Sequence, residues 1–492
     1  MSPGPWLAAF FARLVQDRAG NVLIMTAVLM IPMIALVGSG IDIGRGYLAQ
    51  SRMQQACDAA SLAGRWAFSA GKDSDTATTE AVKFFNFNFR QGTLGTTPFT
   101  PTVTVTGSTT KNVAVAASTT LPRSLMQVFG ISPMTIAVTC TARQDFVNTD
   151  IVLVLDTTGS MADKATSSDT QTKIQALRAA VLALYDQLYP IQQQLAAANM
   201  RLRFALVPYS MTVNAGKLLY AQNTDYIRAN AYYQQCSGRN CRSYSPVLVP
   251  HSAAWLNSSS WSGCIEERQT TSSITASTTA IPAAAYDLDV DTVPTIGGSD
   301  SLRWAPYDPA AVQLSYTPQT ACPAGAKRLA VWSRADLDTY LNTLNPDGGT
   351  YHDIGMIWGA RMISSGGVFA DSPATYNGMP TNKYMIFMTD GLLDTGLSLY
   401  GAYGVEQYDQ RVTGGDLSSQ KARHQQRFNL MCSRVKNMGV SIWIVGFSTA
   451  LDSNLANCAS NPGQASTQSN SADLISKFTQ IGKNIGALRL SQ

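Results

Sequence analysis

Apolar residues in this chain fall into three kinds of run, and each predicts a different element. From Val22 to Ile41 no residue is charged. That is enough for one helix across a bilayer, even with Pro32 inside. Shorter, mainly apolar runs occur at Ile151–Leu155, which is unbroken, and at Lys383–Met388 (KYMIFM) and Val440–Phe447 (VSIWIVGF). Apolar runs of this length read as strands buried on both faces, as in a parallel sheet. Arg201–Ser210 reads as another strand. The third kind steps by three and four. Ile174, Leu177, Val181, Leu184 and Leu188 predict an amphipathic helix laid on that sheet and ended by Pro190. Ile354–Met362 is a second amphipathic run, a helix passes through Cys432 and Val435, and Leu474, Phe478, Ile481, Ile485 and Leu488 share the face of a last one. Strands alternating with helices give an α/β doubly wound sheet.

Between the apolar span and this sheet the pattern changes twice. Gly44–Ala70 is alanine-rich and helical, with Ala56, Ala60, Ala63 and Ala67 forming a small-residue face that lets another helix approach closely. Phe84–Phe89 is aromatic and alternating, in the manner of a strand. Val103-x-Val105 and Val113-x-Val115 read as half-buried strands, Thr135–Thr139 ends a third, and Gly107-Ser108 and Gly130 supply turns. The chain therefore divides into a tail (1–20), a transmembrane helix (21–41), a helical extension (42–72), a small β-rich region (73–147) and an α/β domain (148–492). The stretch of about 215–335 is too long for an α/β connection and reads as an inserted lobe. Its Tyr232, Tyr233, Tyr244, Trp255, Trp261 and Trp304 read as a local core rather than an exposed recognition surface.

Charge narrows the function classes. The net charge of +4 is small for 492 residues and gives no case for nucleic acid. Only 14% of residues are charged, against about 25% in typical soluble domains. Ser and Thr replace them, which suits an extracytoplasmic protein. Arg13 and Arg18 before the span favour a cytoplasmic N-terminus; Arg45 and Arg52 beyond it oppose this. A cleaved signal peptide, with processing near Val37-Gly38-Ser39, is the competing reading of the span. The eight cysteines include no C-x-x-C pair, so Cys236, Cys241, Cys264 and Cys322 read as disulfide rather than zinc residues. Cys432 and Cys458 flank the VSIWIVGF strand and suit a bridge; Cys57 and Cys140 bracket the β-rich region. There is no Walker A motif, H-E-x-x-H or G-x-S-x-G.

The chemistry concentrates where strands end. Ile151–Leu155 runs into Asp156, followed by Thr158 and Ser160 at alternate positions on a turn loosened by Gly159. Three hard oxygen donors at the carboxyl end of a buried strand suit Mg²⁺, or Mn²⁺ or Ca²⁺. Two other loops offer partners: Pro346-Asp347-Gly348-Gly349-Thr350 and Thr389-Asp390-Gly391.

The D-x-[ST]-x-S spacing of Asp156, Thr158 and Ser160, with Thr350 and Asp390 in later loops, resembles the metal site of von Willebrand factor A domains. The resemblance implies five ligands, some through water, and a site completed by an acidic side chain of a protein partner. A second resemblance covers residues 18–63. Arg18-x-Gly20-Asn21 before the span, Asp42-x-Gly44-Arg45 after it, and Asp58-Ala59-Ala60 in the following helix are similar to the N-terminal segment of TadE/TadG-like proteins of the Tad (Flp) pilus-assembly system. TadG-type members join that anchor to a von Willebrand A domain and often carry a cysteine pair at the places of Cys432 and Cys458. Processed pilins of the system carry Glu at the fifth mature position; here that position is Met25, so prepilin cleavage is not expected.

Together these readings describe a single-pass bacterial inner-membrane protein with a periplasmic bulk. It would bind a pilus or envelope protein through the metal, without enzymatic activity. A structural anchor with a merely stabilising site is the alternative. A metal-assisted hydrolase using His352, two residues after Thr350, is the remaining one.

Overall fold

Helix α1 runs without interruption from Asn21 to Ser69, with Pro32 inside it. The computed structural model describes residues 21–69, 73–106, 110–145, 147–237, 241 and 243–487. The expected 1–20 tail, the Gly107-Ser108 turn and Leu488 lie outside the described residues. The chain forms two compact units that divide after Asp145.

In the first unit, α1 presents exposed apolar residues along its first half, from Val22 to Ile43. It is long and apolar enough to cross a membrane. Its second half is a packing element. Ala49, Met53, Ala56, Cys57 and Ala60 are buried in one core with Val113, Val115, Ile136 and Val138. Helix α2 (Ser74–Asn88) begins at Asp73, whose carboxylate accepts the Thr76 N–H at 2.7 Å. Strands β1 (Thr102–Thr106), β2 (Thr110–Leu121) and β3 (Met134–Asp145) form an antiparallel sheet in that order. The third strand therefore runs well past Thr139.

Phe84–Phe89 is not a strand. Ala77, Ala81 and Phe85, four apart, face inward from α2, while Phe87 is exposed. The N-cap and the four-residue step outweigh the local alternation. The small-residue face of α1 does admit a helix, but one from its own unit: a Cβ on Gly64 would lie 2.9 Å from Ala81 Cβ. A disulfide joins Cys57 to Cys140, fastening α1 to β3.

The second unit begins with strand β4 (Asn148–Asp156), which is buried throughout. Ile151, Leu153 and Leu155 face one layer of helices, and Val152 and Val154 face the other. Helix α3 (Lys173–Ala197) follows, opened by a Thr172/Gln175 capping box. It does not end at Pro190. Leu195 beyond the proline is buried, and Gln192 donates to the Trp332 carbonyl at 3.0 Å, so packing offsets the one hydrogen bond a proline removes. Strand β5 (Leu202–Tyr209) pairs parallel to β4. The insertion carries the antiparallel hairpin β6 (Asn230–Ser237) and β7 (Ser243–Pro250) and two disulfides, Cys236–Cys241 and Cys264–Cys322. Tyr233, Trp261 and Trp304 are buried, Tyr244 and Trp255 partly so, and Tyr232 is exposed.

Strand β8 (Lys327–Ala330) returns antiparallel to β5. Then come α4 (Arg334–Leu341), α5 (His352–Ile363), β9 (Met379–Thr389), α6 (Gln420–Asn437), β10 (Val440–Phe447), β11 (Ala465–Gln468) and α7 (Ser471–Ala487). The sheet order is β8-β5-β4-β9-β10-β11, with Thr375–Tyr376 pairing at the start of β9. In chain order these strands read 3-2-1-4-5-6, the doubly wound arrangement. Helices α3, α4 and α7 cover one face, α5 and α6 the other. The disulfide Cys432–Cys458 links α6 to the segment after β10.

Helix α5 is not amphipathic in its setting. Every residue from His352 to Ile363 is buried, because the insertion covers the side that would otherwise meet water. Glu267 of the insertion accepts from Trp358 Nε1 at 2.6 Å, Arg361 Nη1 at 2.8 Å and Trp304 Nε1 at 3.1 Å.

Candidate functional site

Strands β4 and β9 are neighbours, and chain order reverses between them. Such switch points leave a crevice at the carboxyl ends of the strands. Met388 pairs with Leu155, so Asp156 and Thr389 emerge side by side at that edge.

Asp156 is fully buried and held by three donors. Its Oδ1 accepts the Thr158 N–H at 2.9 Å; its Oδ2 accepts the Thr389 hydroxyl at 2.8 Å and the Tyr209 hydroxyl at 3.2 Å. Thr389 in turn accepts from His352 Nε2 at 3.0 Å. Burial pushes the Asp156 carboxyl well above the ordinary carboxylate range, and the neighbouring Asp390 charge adds to the shift.

The second carboxylate gathers the hydroxyls. Ser160 Oγ donates to Asp390 Oδ1 at 2.8 Å, Thr158 Oγ1 lies 3.4 Å from the same oxygen, and the two hydroxyls are 3.3 Å apart. Thr158, Ser160 and Asp390 thus bring three hard oxygens within 3.4 Å of one another. Both oxygens of Asp156 are occupied by protein donors, which sets it behind them.

Thr350 is positioned through its backbone. It exchanges two hydrogen bonds of 3.0 Å with Asp394, and its loop is tied to the first loop by Gly159 N–H to Gly348 O at 3.0 Å and Asp347 N–H to Thr157 O at 2.8 Å. Gly348 has φ +82°, and a Cβ there would stand 2.6 Å from Ala321 Cβ, so the turn admits only glycine without displacement.

Three supporting residues escape the motif reading: Thr389, Tyr209 and Lys173. Lys173 is the consequential one. Its ammonium donates to Asp390 Oδ2 at 3.0 Å, and both side chains are nearly inaccessible. One signal was available in the sequence. Lys173 is the first residue of α3, where the helix dipole disfavours a cation, so its charge needs an acidic partner elsewhere.

His352 does not face the hydroxyl cluster through any hydrogen bond of its own; its Nε2 contacts Thr389. It is buried beneath the site, bonded to Thr389, and desolvation depresses its pKa to about 4. Among the described residues no group of three or more His, Cys, Asp and Glu could hold a metal. The donor set is one of hydroxyls with two carboxylates, which fits a hard cation that keeps some of its water.

Comparisons with known proteins fall on both units. No curated protein matches the chain significantly. The pilus adhesin SpaC of Lactobacillus rhamnosus GG is similar at 13% identity and a TM-score of 0.32, over 79% of this chain and 35% of the adhesin. This chain thus spans about a third of that adhesin's length. The PilB minor pilin of Streptococcus sanguinis is 11% identical with a TM-score of 0.35, over 80% of this chain and 78% of the pilin. The von Willebrand factor domain of a type V pili tip protein from Porphyromonas gingivalis is 13% identical with a TM-score of 0.33, over 70% and 97%. The family model for Flp pilus-assembly TadE/G-like proteins matches residues 20–71, the segment that holds the apolar helix and its packed extension. Residues 20–71 are thus similar to the TadE/G-like Flp pilus-assembly segment, and a doubly wound α/β unit lies further along the chain.

Proposed function

We propose that the chain is a membrane-anchored component of a Tad (Flp)-type pilus-assembly or adhesion system, whose α/β unit binds a protein partner through a divalent cation. One observation carries the reading: Thr158, Ser160 and Asp390 converge at the strand switch point, on a chain with a TadE/G-like segment. Mg²⁺, or Mn²⁺ or Ca²⁺, suits that set. The Thr158 and Ser160 hydroxyls and Asp390 Oδ1 would hold it, with Asp156 and Thr350 engaged through water. Bound there, the ion supplies an electron-poor position for an acidic side chain of a pilus or envelope protein. In this reading α1 crosses the bacterial inner membrane, and the remainder of the first unit beyond the span and the whole α/β unit lie in the periplasm. The four disulfides support an oxidising compartment. No catalytic step is proposed, because His352 is spent on Thr389.

The test is calorimetric titration of Mg²⁺ and Mn²⁺ into the full chain in detergent, wild type against Ser160→Ala and Asp390→Asn. Binding lost in both folded variants, together with partner crosslinking abolished by a chelator, is the expected outcome. Partner crosslinking that survives the chelator would refute the metal-mediated contact.

A second reading rests on Lys173. Its ammonium already compensates Asp390, so the site could serve the fold as an internal ion pair, the chain then acting as an anchor and scaffold. Wild-type protein that binds no divalent ion while Lys173→Met does would select this reading.

A further inference from the structure

The Asp42-x-Gly44-Arg45 motif at the end of the apolar span has a structural use in the first unit. The Asp42 carboxylate is buried and accepts three consecutive backbone N–H groups, from Ser124 at 2.8 Å, Leu125 at 3.2 Å and Met126 at 3.0 Å. These N–H groups open the short 3₁₀ turn Met126–Phe129. Arg45 reaches the Ser124 hydroxyl and the Leu94 carbonyl. On either side the helix lacks side chains. A Cβ on Gly38 would lie 2.9 Å from Leu125 Cβ, and one on Gly46 would overlap Met134 Sδ. The loop between β2 and β3 is therefore clamped along α1 between Gly38 and Gly46.

That clamp fixes the loop's level. From Val22 to Ile43 the helix is apolar apart from Asp42 and small polar residues. At 1.5 Å per residue this is about 33 Å, close to the ~30 Å hydrocarbon thickness of a bilayer. Tyr47, exposed one turn further on, stands where aromatic side chains mark the membrane–water interface. Gly38 lies inside the last turns of the span, and Leu125 is packed beside it. The loop turns its apolar side chains outward: Val128 is 82% exposed, and Leu125, Phe129 and Ile131 are about 40% exposed. Arg123 closes its base through the Ser132 carbonyl at 2.9 Å. An apolar cluster of this kind needs a cover, and the surface it continues is the lipid-facing side of α1.

We propose that the Leu125–Ile131 loop is a membrane wedge. It dips into the acyl chains of the leaflet that α1 leaves, so the first unit meets the bilayer at two joined points. The inference rests on the reading that α1 crosses a bilayer. The Asp42 bonds satisfy a carboxylate at the hydrocarbon edge, where an unpaired one is costly. They also fix the rotation of α1 relative to the loop, so helix and wedge set the depth of the unit together.

All eight cysteines are paired, so one added thiol can be labelled. The experiment uses the full chain in phosphatidylcholine/phosphatidylglycerol vesicles, with an environment-sensitive fluorophore at Val128→Cys. Labels at Leu36→Cys on the helix and Lys83→Cys on α2, both exposed positions, serve as references. We expect the Val128 label to be blue-shifted, quenched several-fold more by lipid-attached nitroxide than by aqueous iodide, and to match Leu36. Iodide quenching at Val128 with lipid quenching at Leu36 would overturn the wedge and leave the anchor standing. Iodide quenching at both would remove the anchor and the wedge together. Protection at Val128 from both quenchers would overturn the wedge in favour of a second copy covering the loop.

Discussion

The Lys173 ammonium lies 3.0 Å from Asp390 Oδ2, with the aspartate fully buried and the lysine nearly so. A lysine is thereby built into a site whose other donors suit a divalent cation. It halves the negative charge that two carboxylates would offer, and in the proposed metal-binding reading it would compete with the ion.

Replacing Lys173 with Met should tighten Mg²⁺ binding by roughly tenfold or more, because a like charge at this range opposes the ion strongly in a buried setting. The metal-free variant should lose about 3 kcal/mol, since Asp390 is left buried without its partner. Calorimetry and thermal melts with and without Mg²⁺ read both effects. Unchanged affinity would show that Lys173 does not compete.

Thr389→Val keeps the shape of the side chain but strands His352 Nε2 and leaves Asp156 Oδ2 with the Tyr209 hydroxyl alone. A cost of about 1–3 kcal/mol is expected. It should be seen in chemical denaturation as a lower midpoint at unchanged slope. A neutral result would mean that water takes over the hydroxyl's role.

His352 gives the fold a dependence on acid. Its folded pKa is depressed to about 4 by burial, against an ordinary 6.5. The neutral ring's contribution is present above pH 6.5 and is lost as pH falls through 4. At roughly 1.4 kcal/mol per unit the loss is about 3 kcal/mol. Melting temperatures between pH 7 and 4 should fall in the wild type, and the fall should be shallower in His352→Leu. Parallel pH profiles for the two would exclude His352 as the source.

The Cys57–Cys140 bridge spans 83 residues. The loop-entropy relation gives such a closure about 4–5 kcal/mol. The double Ala variant should therefore unfold its first unit at markedly lower denaturant, with the second unit's transition unmoved. A single unchanged transition would contradict this.

Much of the α/β unit was legible because buried parallel strands leave unbroken apolar runs, as Ile151–Leu155 does. The site was legible because Thr158 and Ser160 follow Asp156 at a fixed local spacing. What was not legible depends on partners remote in the chain. Helix α5 looks amphipathic until Glu267, 91 residues before Trp358, covers its polar side. Lys173 stands at a helix start that disfavours its charge, but nothing nearby in the chain names its partner, Asp390, 217 residues away. Pro190 looks like a terminator because propensity is local, whereas the burial of Leu195 is not. Phe84–Phe89 misleads for a related reason: the helical step starts upstream, at Ala77.

One helix, Asn21–Ser69, serves as both the apolar span and the spine of the first unit. No linker separates the two jobs. A rod about 70 Å long, cross-linked to β3 by Cys57 and Cys140, has nowhere to hinge at the bilayer surface. In the proposed reading, where α1 crosses a bilayer, tension applied to the first unit would pass into the membrane-spanning turns with no joint between.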